Sequence, residues 1–249
     1  MNVIVCVKRV PDTETSIRVG ESGSEIDPAG VKYIVSPYDE FAIEAALRTK
    51  EAAGEGEVAL LTLGDASSQE TLRAGLAMGA DRAVLLEGES GMDGLVTAKA
   101  LVDELTAADA PLVLFGVKAA DFDQQQVGPM AATLMGRPCV TGVSSFTVDG
   151  DKATCERQVE GGVEVVEVSL PAVLTITKGA YEPRYASLKG IMAAKRKPLE
   201  TKPAALAESG LRVDGLAEPP ARPEGRIVGE GPDAAAELVR LLREEANAI

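Results

Sequence analysis

Uninterrupted apolar runs alternate with helical patterns along the first half of the chain. The runs Val3–Val7, Val58–Leu63, Ala83–Leu86 and Leu112–Phe115 lack polar alternation, as strands covered on both faces do. Between these runs, apolar residues recur at spacings of three and four, which indicates amphipathic helices. This order predicts an α/β fold with a doubly wound, mostly parallel sheet and right-handed crossovers. The helical patterns cover Pro37–Gly54, Ser67–Gly79 and Leu95–Leu105.

Two of these helices begin with capping signals. Ser36 precedes Pro37, a residue that suits the first helical position, so Ser36 is the expected N-cap. Ser67 is followed three residues later by Glu70, which is the spacing of a capping box. Side-chain caps are therefore predicted at both helix starts.

Strand patterns follow one another directly in the second half. Thr141–Val148 and Ala153–Val159 flank an Asp149-Gly150 turn and predict a hairpin. Val163–Val168 and Ala172–Thr177 continue the strand pattern. With no helix between them, all four are predicted to be antiparallel additions to the sheet.

The C-terminal fifty residues have a different character. Positions 200–226 contain four prolines and few apolar residues, so they are expected to form an arm rather than core. The predicted domains are therefore 1–199, an α/β domain, and 200–249, an arm with a final amphipathic helix that docks on a partner surface. The prolines are Pro203, Pro219, Pro220 and Pro223, and the helix carries Leu238, Leu241, Leu242 and Ala246 on one side.

Composition narrows the possible functions. The chain has 249 residues, of which 45% are hydrophobic and only 3% aromatic, so the core must consist of Val, Leu, Ile and Ala. Its net charge of −14 argues against nucleic acid and anionic membrane surfaces as partners. The absence of His removes the commonest general base and metal ligand, which excludes Ser-His-Asp and Cys-His catalysis within this chain.

The cysteines and the N-terminus favour a cytoplasmic protein. Cys6, Cys139 and Cys155 are widely spaced, so they form neither a metal-binding pattern nor a disulfide framework. Met1 leads directly into a strand pattern, without a targeting signal, and no apolar run approaches 18 residues. We therefore expect a reducing compartment and no direct membrane insertion.

A polar segment after the fourth apolar run is the first candidate site. Gly116–Met130 reads GVKAADFDQQQVGPM and lies between a strand and a helical segment. It lacks the glycine spacing of a dinucleotide fingerprint or a P-loop. Its three glutamines and the helix start offer donors for a polar ligand, and ligands bind open α/β sheets at such strand ends. The alternative is a polar strand-to-helix connection that binds nothing.

A basic, aromatic segment is the second candidate. Lys178–Lys197 contains six basic residues and one acidic residue, whereas the whole chain contains 25 and 39. Two of the four tyrosines, Tyr181 and Tyr185, also lie here. A positive segment with aromatic residues on an acidic protein indicates an interaction surface, with a solvated basic loop as the alternative.

The chain resembles the beta subunit of electron-transfer flavoproteins. The likeness is carried by TKGAYEPRYASLKGIMAAKRKPLE at 177–200 and extends over nearly the whole chain, through VCVKRVPDT, SPYDEFAIEAALRTKE and LAMGADRAVLL. The resemblance implies the adenine-nucleotide α-hydrolase-like version of the doubly wound fold. It implies an electron carrier without catalytic residues, in a heterodimer whose alpha subunit holds most of the FAD. Electrons would come from dehydrogenases of the acyl-CoA dehydrogenase type, as in fatty acid β-oxidation, and pass to a quinone-linked oxidoreductase.

The resemblance also implies two sets of contact residues. A structural AMP without a redox role would be held at one site, where Ser36 stands in place of the family's usual Asn. The segment 178–197 would dock dehydrogenases, with Leu188 as anchor. The AMP residues would be Cys6, Ser36, Pro37, Tyr38, Asp39, Leu63, Ala119, Ala120, Asp121, Phe122, Asp123, Gln124, Gln125, Gln126, Val127, Gly128, Pro129 and Met130, and the docking residues Tyr181, Arg184, Tyr185, Leu188, Ile191 and Met192.

Three alternatives stay open on the sequence. Some family members bifurcate electrons and bind a second FAD in place of AMP, and the turn Val10–Thr13 occurs in them, although Phe122 stands where they have small residues. A stress-type protein that binds ATP has the same fold class, but the basic segment would have no role in it. An ATP pyrophosphatase needs a Ser/Gly-rich loop after the first strand, where this chain reads KRVPDT.

Overall fold

The computed structural model describes residues 1–89, 91, 93–221 and 224–249. They form two compact units, Met1–Gly215 and Leu216–Ile249. Pro223, one of the four prolines assigned to the arm, lies outside the described residues. The first unit therefore continues 16 residues beyond the boundary at 199 that the sequence predicted.

Over the described residues, eleven strands and six helices follow the predicted alternation. The strands are β1 (Val3–Cys6), β2 (Arg9–Pro11), β3 (Tyr33–Val35), β4 (Val58–Gly64), β5 (Arg82–Glu87), β6 (Leu112–Gly116), β7 (Cys139–Asp149), β8 (Lys152–Val159), β9 (Gly162–Ser169), β10 (Ala172–Ile176) and β11 (Leu199–Pro203). The helices are α1 (Pro37–Ala53), α2 (Ser68–Met78), α3 (Gly94–Ala108), α4 (Val127–Met135), α5 (Leu188–Ala194) and α6 (Ala234–Glu244).

Nine strands form one sheet in the order β11-β5-β4-β1-β6-β10-β7-β8-β9, as far as the chain is described. β1 lies in the interior of the sheet and pairs in parallel with β4 and β6, with Val3 opposite Val58 and Leu112. Chain order reverses direction on either side of β1, which is the mark of a doubly wound sheet. The predicted α/β class with a mostly parallel sheet is thereby confirmed.

The predicted direction of two strands is wrong. β10 runs parallel to both β6 and β7, so only β8 and β9 are antiparallel additions, beyond β7. All five residues of β10 are buried, because helices or neighbouring strands cover both of its faces. Its uninterrupted apolar run is typical of a parallel strand that is buried on both faces. The prediction was wrong because the strand patterns in this part of the sequence follow one another without a helix between them.

The start of the predicted arm is also a strand. Leu199–Pro203 forms the edge strand β11, parallel to β5, with Leu199 opposite Ala83. Three of its five residues are exposed, so it lacks the apolar signature of the interior strands. Pro203 is tolerated at its end because an edge strand leaves one row of N–H groups unpaired. The second unit contains α6, whose Arg240 pairs with Glu237 and Glu244.

Alternate residues of each interior strand enter two apolar layers, one on each face of the sheet. Val3 and Val5 pack in one layer, together with Ile43 of α1 and Leu72 of α2. Ile4 and Cys6 pack in the other layer, under α3 and α4. The two layers follow from the period of two in a strand. The parallel pairing of β1, β4, β6 and β10 places their carboxyl ends along one edge of the sheet.

Helix capping departs from the sequence prediction at two positions. The Ser36 side chain makes no capping hydrogen bond, although Pro37 does begin α1. The Ser67 side chain also does not cap α2; its hydroxyl instead donates to Asp65. Asp93 caps α3 through its side chain, accepting from Leu95 N at 2.9 Å. In the described residues no helix has the length and apolar character needed to cross a membrane.

Candidate functional site

A cavity of about 120 Å³ opens at the carboxyl edge of the sheet. Its walls come from the end of β1, the end of β6, the connection that follows β6 and the first turns of α3 and α4. A cavity at this position is typical of open α/β folds, because the connections leave the strands there in opposite directions.

The structure brings ten of the residues expected at the AMP site to this cavity and leaves eight outside its lining. α1 directs only Asp39 of the 36–39 turn toward it, because successive helical side chains point about 100° apart. The lining set is Cys6, Asp39, Leu63, Ala119, Phe122, Gln124, Gln125, Gln126, Val127 and Gly128, and the residues outside are Ser36, Pro37, Tyr38, Ala120, Asp121, Asp123, Pro129 and Met130.

Several lining residues were missed by sequence reasoning. Gly116, Val117 and Lys118 also line the cavity and belong to the candidate segment Gly116–Met130, while Lys8 follows the end of β1. Thr175 lines the cavity because β10 is parallel to β6, the orientation that the sequence analysis misassigned. Gly94 and Thr97 enter through the start of α3, which the Asp93 cap marks. The other missed residues are Val7, Gly91, Leu101 and Phe115.

Asp39 lines the cavity and accepts hydrogen bonds from the backbone at the ends of two strands, β1 and β6. Its Oδ2 accepts from Lys8 N at 2.7 Å and its Oδ1 accepts from Gly116 N at 3.0 Å. Burial raises the pKa of Asp39 to about 7, in spite of these two N–H groups, which favour the ionised form. The buried carboxyl group therefore links the end of β1 to the end of β6 through these two hydrogen bonds.

Two lysines on the cavity wall are each paired with an aspartate. Lys8 Nζ lies 2.6 Å from Asp121 Oδ2, and it also lies 4.3 Å from the centroid of the Phe122 ring. Lys118 Nζ lies 2.7 Å from Asp123 Oδ2. The positive charges of Lys8 and Lys118 on the cavity wall are therefore each balanced by an aspartate carboxylate.

The connection between β6 and α4 has an unusual backbone. Asp123 and Gln125 both have positive φ, 50° and 54°, which non-glycine residues adopt infrequently. At the start of α4, a Cβ on Gly128 would lie 2.8 Å from Thr175 Cγ2, so the missing side chain lets α4 sit close to β10. The first residues of α4, Val127 and Gly128, line the cavity, and the first N–H groups of a helix have no partner within the helix.

Cys6 contributes packing to this site rather than reactivity. It is buried, and burial, followed by the charge of Asp39, raises the pKa of its thiol well above the usual value. Since the thiolate is the reactive form, Cys6 is held as an inert thiol.

The basic segment forms a second surface, made of a loop and α5. Tyr185, Leu188, Ile191 and Met192 are exposed there, and Leu188 has 84% of its surface accessible. These four residues, called the apolar patch below, lie beside a groove of about 860 Å³ formed with α1 and α2. An exposed apolar patch rimmed by charge is typical of a protein interaction site.

Arg184 of this segment is held to α1 by two ion pairs. Arg184 pairs with Glu44 at 2.7 Å and with Glu51 at 2.7 Å, both on α1. Burial raises the pKa of Glu44, but hydrogen bonds from Arg184 and Arg48 outweigh it, so the pKa lies below its usual value. Arg184 therefore anchors the loop on α1.

The expectation that Tyr181 contacts a partner does not agree with its position. Its ring is buried against Phe146, and its hydroxyl accepts from Phe146 N at 2.9 Å and donates to Phe146 O at 3.1 Å. A buried Tyr with both hydrogen-bonding roles satisfied is a core residue. Tyr181 fixes the start of the loop on β7, and the exposed contact area begins at Tyr185.

The fold and the cavity define an α/β protein with a cavity at the carboxyl edge of a doubly wound sheet. The family model described as the electron transfer flavoprotein domain matches residues 25–207. The chain is 39% identical to the electron transfer flavoprotein subunit beta of Bradyrhizobium diazoefficiens over the full length of both chains. It is 38% identical to that of Syntrophomonas wolfei, over 95% of this chain and 93% of the relative, and 39% identical to that of Homo sapiens, over 98% of each. The chain belongs to the electron transfer flavoprotein family, among its beta subunits.

Proposed function

We propose that this chain is the beta half of a heterodimeric electron carrier. Its alpha partner holds most of an FAD, which receives electrons from dehydrogenases of the acyl-CoA dehydrogenase type and passes them to a quinone-linked oxidoreductase. The observation that carries this proposal is the full-length likeness to beta subunits at 38–39% identity. The exposed apolar patch supports a docking role.

The residues at the cavity suit an adenine nucleotide. Two lysines, the amides of Gln124–Gln126 and the N-terminus of α4 are groups that bind phosphate and polar base edges. Ser36 Oγ is buried without a partner in the described part of the chain, close to Asp39 on the same turn. A bound nucleotide would add a rigid polar body between β1, β6 and α4 and stabilise their connections.

AMP suits the cavity better than a second FAD does. Phe122 and its partner Lys8 both lie on the cavity wall. Family members that bind a second FAD have small residues where Phe122 stands, so the Phe122 ring occupies space that the dinucleotide would need. The carrier role with AMP is therefore proposed over electron bifurcation. A stress-type protein that binds ATP would leave the apolar patch without a function.

We expect the chain to form a stable 1:1 complex with a flavin-binding alpha subunit. Co-expression of the two chains and size-exclusion chromatography, followed at the flavin absorbance bands, test this directly. The expected result is a single yellow heterodimer peak, with a lower melting temperature for the beta chain purified alone. A beta chain that stays monomeric and equally stable beside the alpha subunit would refute the carrier proposal.

We expect one AMP for each beta chain. Denaturing the purified complex and identifying the released small molecules by mass spectrometry measures both identity and stoichiometry. One AMP and one FAD per heterodimer supports the carrier reading. Two FAD and no AMP would establish the bifurcating alternative, ATP would favour the stress-type class, and no adenine compound would rule out the nucleotide site.

Leu188→Ala should impair docking while leaving the fold intact. Leu188 is 84% exposed, so its truncation creates no core cavity, which would cost about 2–5 kcal/mol. An interface anchor instead contributes roughly 1–3 kcal/mol of binding, so electron transfer at limiting dehydrogenase should slow about 5- to 150-fold. Paired measurements of melting temperature and transfer rate with an acyl-CoA dehydrogenase check this.

Leu134→Ala is the matched control for that experiment. Leu134 is 44% exposed on α4, which packs on the opposite face of the sheet from α5's neighbour α2. Its truncation should leave the transfer rate unchanged. If Leu188→Ala also leaves the rate unchanged, raising the salt concentration shows whether docking depends on the exposed Lys and Arg charges, because screening weakens a charged interface more than a leucine anchor.

A further inference from the structure

Two ion pairs in the cavity wall balance each other's charge before any ligand arrives. Lys8 pairs with Asp121 at 2.6 Å, and Lys118 pairs with Asp123 at 2.7 Å. Both lysines line the cavity, whereas neither aspartate is part of its lining. The side chain of Asp121 is 13% exposed and that of its partner Lys8 is 37% exposed, whereas the side chain of Asp123 is 58% exposed. We call Asp121 and Asp123 the wall aspartates.

This charge balance limits how many phosphates the site can neutralise. The phosphate of AMP carries about −1.5 to −2 charges at neutral pH, and every further phosphate of ADP or ATP adds about one more. Lys8 and Lys118 together supply two positive charges, but each is already opposed by a wall aspartate. The buried carboxyl of Asp39 lies close enough to feel the charges of both Lys8 and Asp121, and it adds a further acidic group beneath them.

The limited space beside Lys8 also disfavours additional phosphates. Lys8 and Phe122 both line the cavity, and Lys8 lies 4.3 Å from the Phe122 ring centroid, so the ring limits the space beside this lysine. An additional phosphate would therefore be drawn from water into a confined region next to the carboxylate of Asp121. Desolvating a charge without a free partner is strongly unfavourable.

We infer that Asp121 and Asp123 determine specificity by making the site select nucleoside monophosphates over di- and triphosphates. The selection operates by competition, since phosphate oxygens and wall aspartates contend for the same two lysines. This inference rests on the proposed binding of an adenine nucleotide at the cavity. It assigns the discrimination to two residues that the family resemblance placed among the AMP contacts but that lie outside the cavity lining.

The test compares four ligands on the wild-type chain and on the double variant Asp121→Asn, Asp123→Asn. Asparagine keeps the Oδ1 that accepts from Phe122 N at 2.9 Å, so the connection retains this turn contact. Calorimetry on the full-length chain, freed of nucleotide by dialysis and kept in EDTA, gives the Kd of adenosine, AMP, ADP and ATP. EDTA removes divalent cations that would themselves neutralise phosphates.

We expect the double variant to gain affinity for the ligands in proportion to the number of phosphates that they carry. Adenosine carries no phosphate, so its Kd should change less than twofold. AMP should bind about 3-fold more tightly to the double variant and ATP about 30-fold, so the preference for AMP over ATP falls about 10-fold. Asp12→Asn is the control variant, because Asp12 pairs with Lys32 at 2.9 Å and neither residue lines the cavity. It should leave the order of the four ligands unchanged.

Each other outcome is decisive. If the double variant keeps the wild-type ratio of AMP to ATP affinity, or prefers AMP more strongly, the wall aspartates are structural and the inference is wrong while the nucleotide site stands. If the wild type binds none of the four ligands, the proposed nucleotide site itself fails. If the melting temperature shows that the double variant is unfolded, the single variants Asp121→Asn and Asp123→Asn are measured, and each should show a smaller shift in the same direction.

Discussion

Gly116→Ala is expected to destabilise the first unit by about 2–4 kcal/mol and to abolish nucleotide binding. A Cβ at this position would lie 2.4 Å from Asp39 Oδ1, 2.8 Å from Tyr38 C and 2.9 Å from Asp39 N. Two of these three atoms belong to the α1 backbone, so no side-chain rotation relieves the overlap. Overpacking of this kind costs about 1–3 kcal/mol, and separating β6 from α1 also removes the hydrogen bond from Gly116 N to the buried Asp39.

Chemical denaturation of Gly116→Ala, with the AMP titration run in parallel, measures both effects. Gly162→Ala is the matched control, because a Cβ at Gly162 would meet no atom within 4 Å in the described chain and its φ is not positive. The control should stay within about 0.5 kcal/mol of the wild type. A Gly116→Ala chain with wild-type stability and AMP affinity would show that α1 and β6 can separate freely, and that the link through Asp39 is not needed.

The parallel part of the sheet could be predicted because burial on both faces leaves a mark on the sequence. The runs at β1, β4, β5 and β6 are apolar without alternation, and all four strands are where those runs predict them. An uninterrupted apolar run does not show whether a strand is parallel or antiparallel to its neighbours. For this reason β10 was predicted to be antiparallel, although it is parallel to β6 and β7. The edge strand β11 is mostly exposed, and its polar residues LETKP carry no strand signal that distinguishes it from an arm.

Only part of the candidate site could be predicted, for a related reason. The segment after β6 was recognised because its position in the chain fixes its position at the sheet edge. Thr175 was missed because it reaches the cavity through tertiary packing that no local pattern records. Tyr181 was misplaced because its partner Phe146 lies 35 residues earlier, and an aromatic residue in a basic segment does not itself indicate burial.

The helix caps show the limit of local patterns at the site. Ser36 precedes Pro37 as a capping serine should, yet its hydroxyl is buried and makes no hydrogen bond to any described group. The α1 start is instead fixed by backbone bonds, in which Ser36 O accepts from Asp39 N at 2.9 Å and Glu40 N at 3.1 Å. The Ser36 hydroxyl therefore has no hydrogen-bond partner among the described residues, although Ser36 lies outside the cavity lining.

The stability of the first unit should fall as pH rises from about 4 to about 7, through Asp39. Burial raises the pKa of Asp39 from 3.8 to about 7, so across this window the folded state holds a proton that the unfolded state has released. Stability falls with rising pH wherever the folded state binds more protons, which fixes the sign. Three pH units at about 1.4 kcal/mol each set an upper limit of about 4 kcal/mol on the loss.

Asp39→Asn isolates this contribution from those of the other carboxyl groups. The asparagine cannot ionise, so the difference in unfolding free energy between wild type and variant should decrease from pH 4.5 to pH 7.5 and stay constant above pH 8. The variant should also be the less stable of the two at pH 4.5, because the asparagine Nδ2 would face Lys8 N or Gly116 N, both of which are donors. Denaturant titrations at four pH values measure the difference directly. A difference that does not change with pH would mean that the two backbone N–H groups keep Asp39 ionised throughout, and that the carboxylate charge, rather than its proton, holds β1 and β6 together.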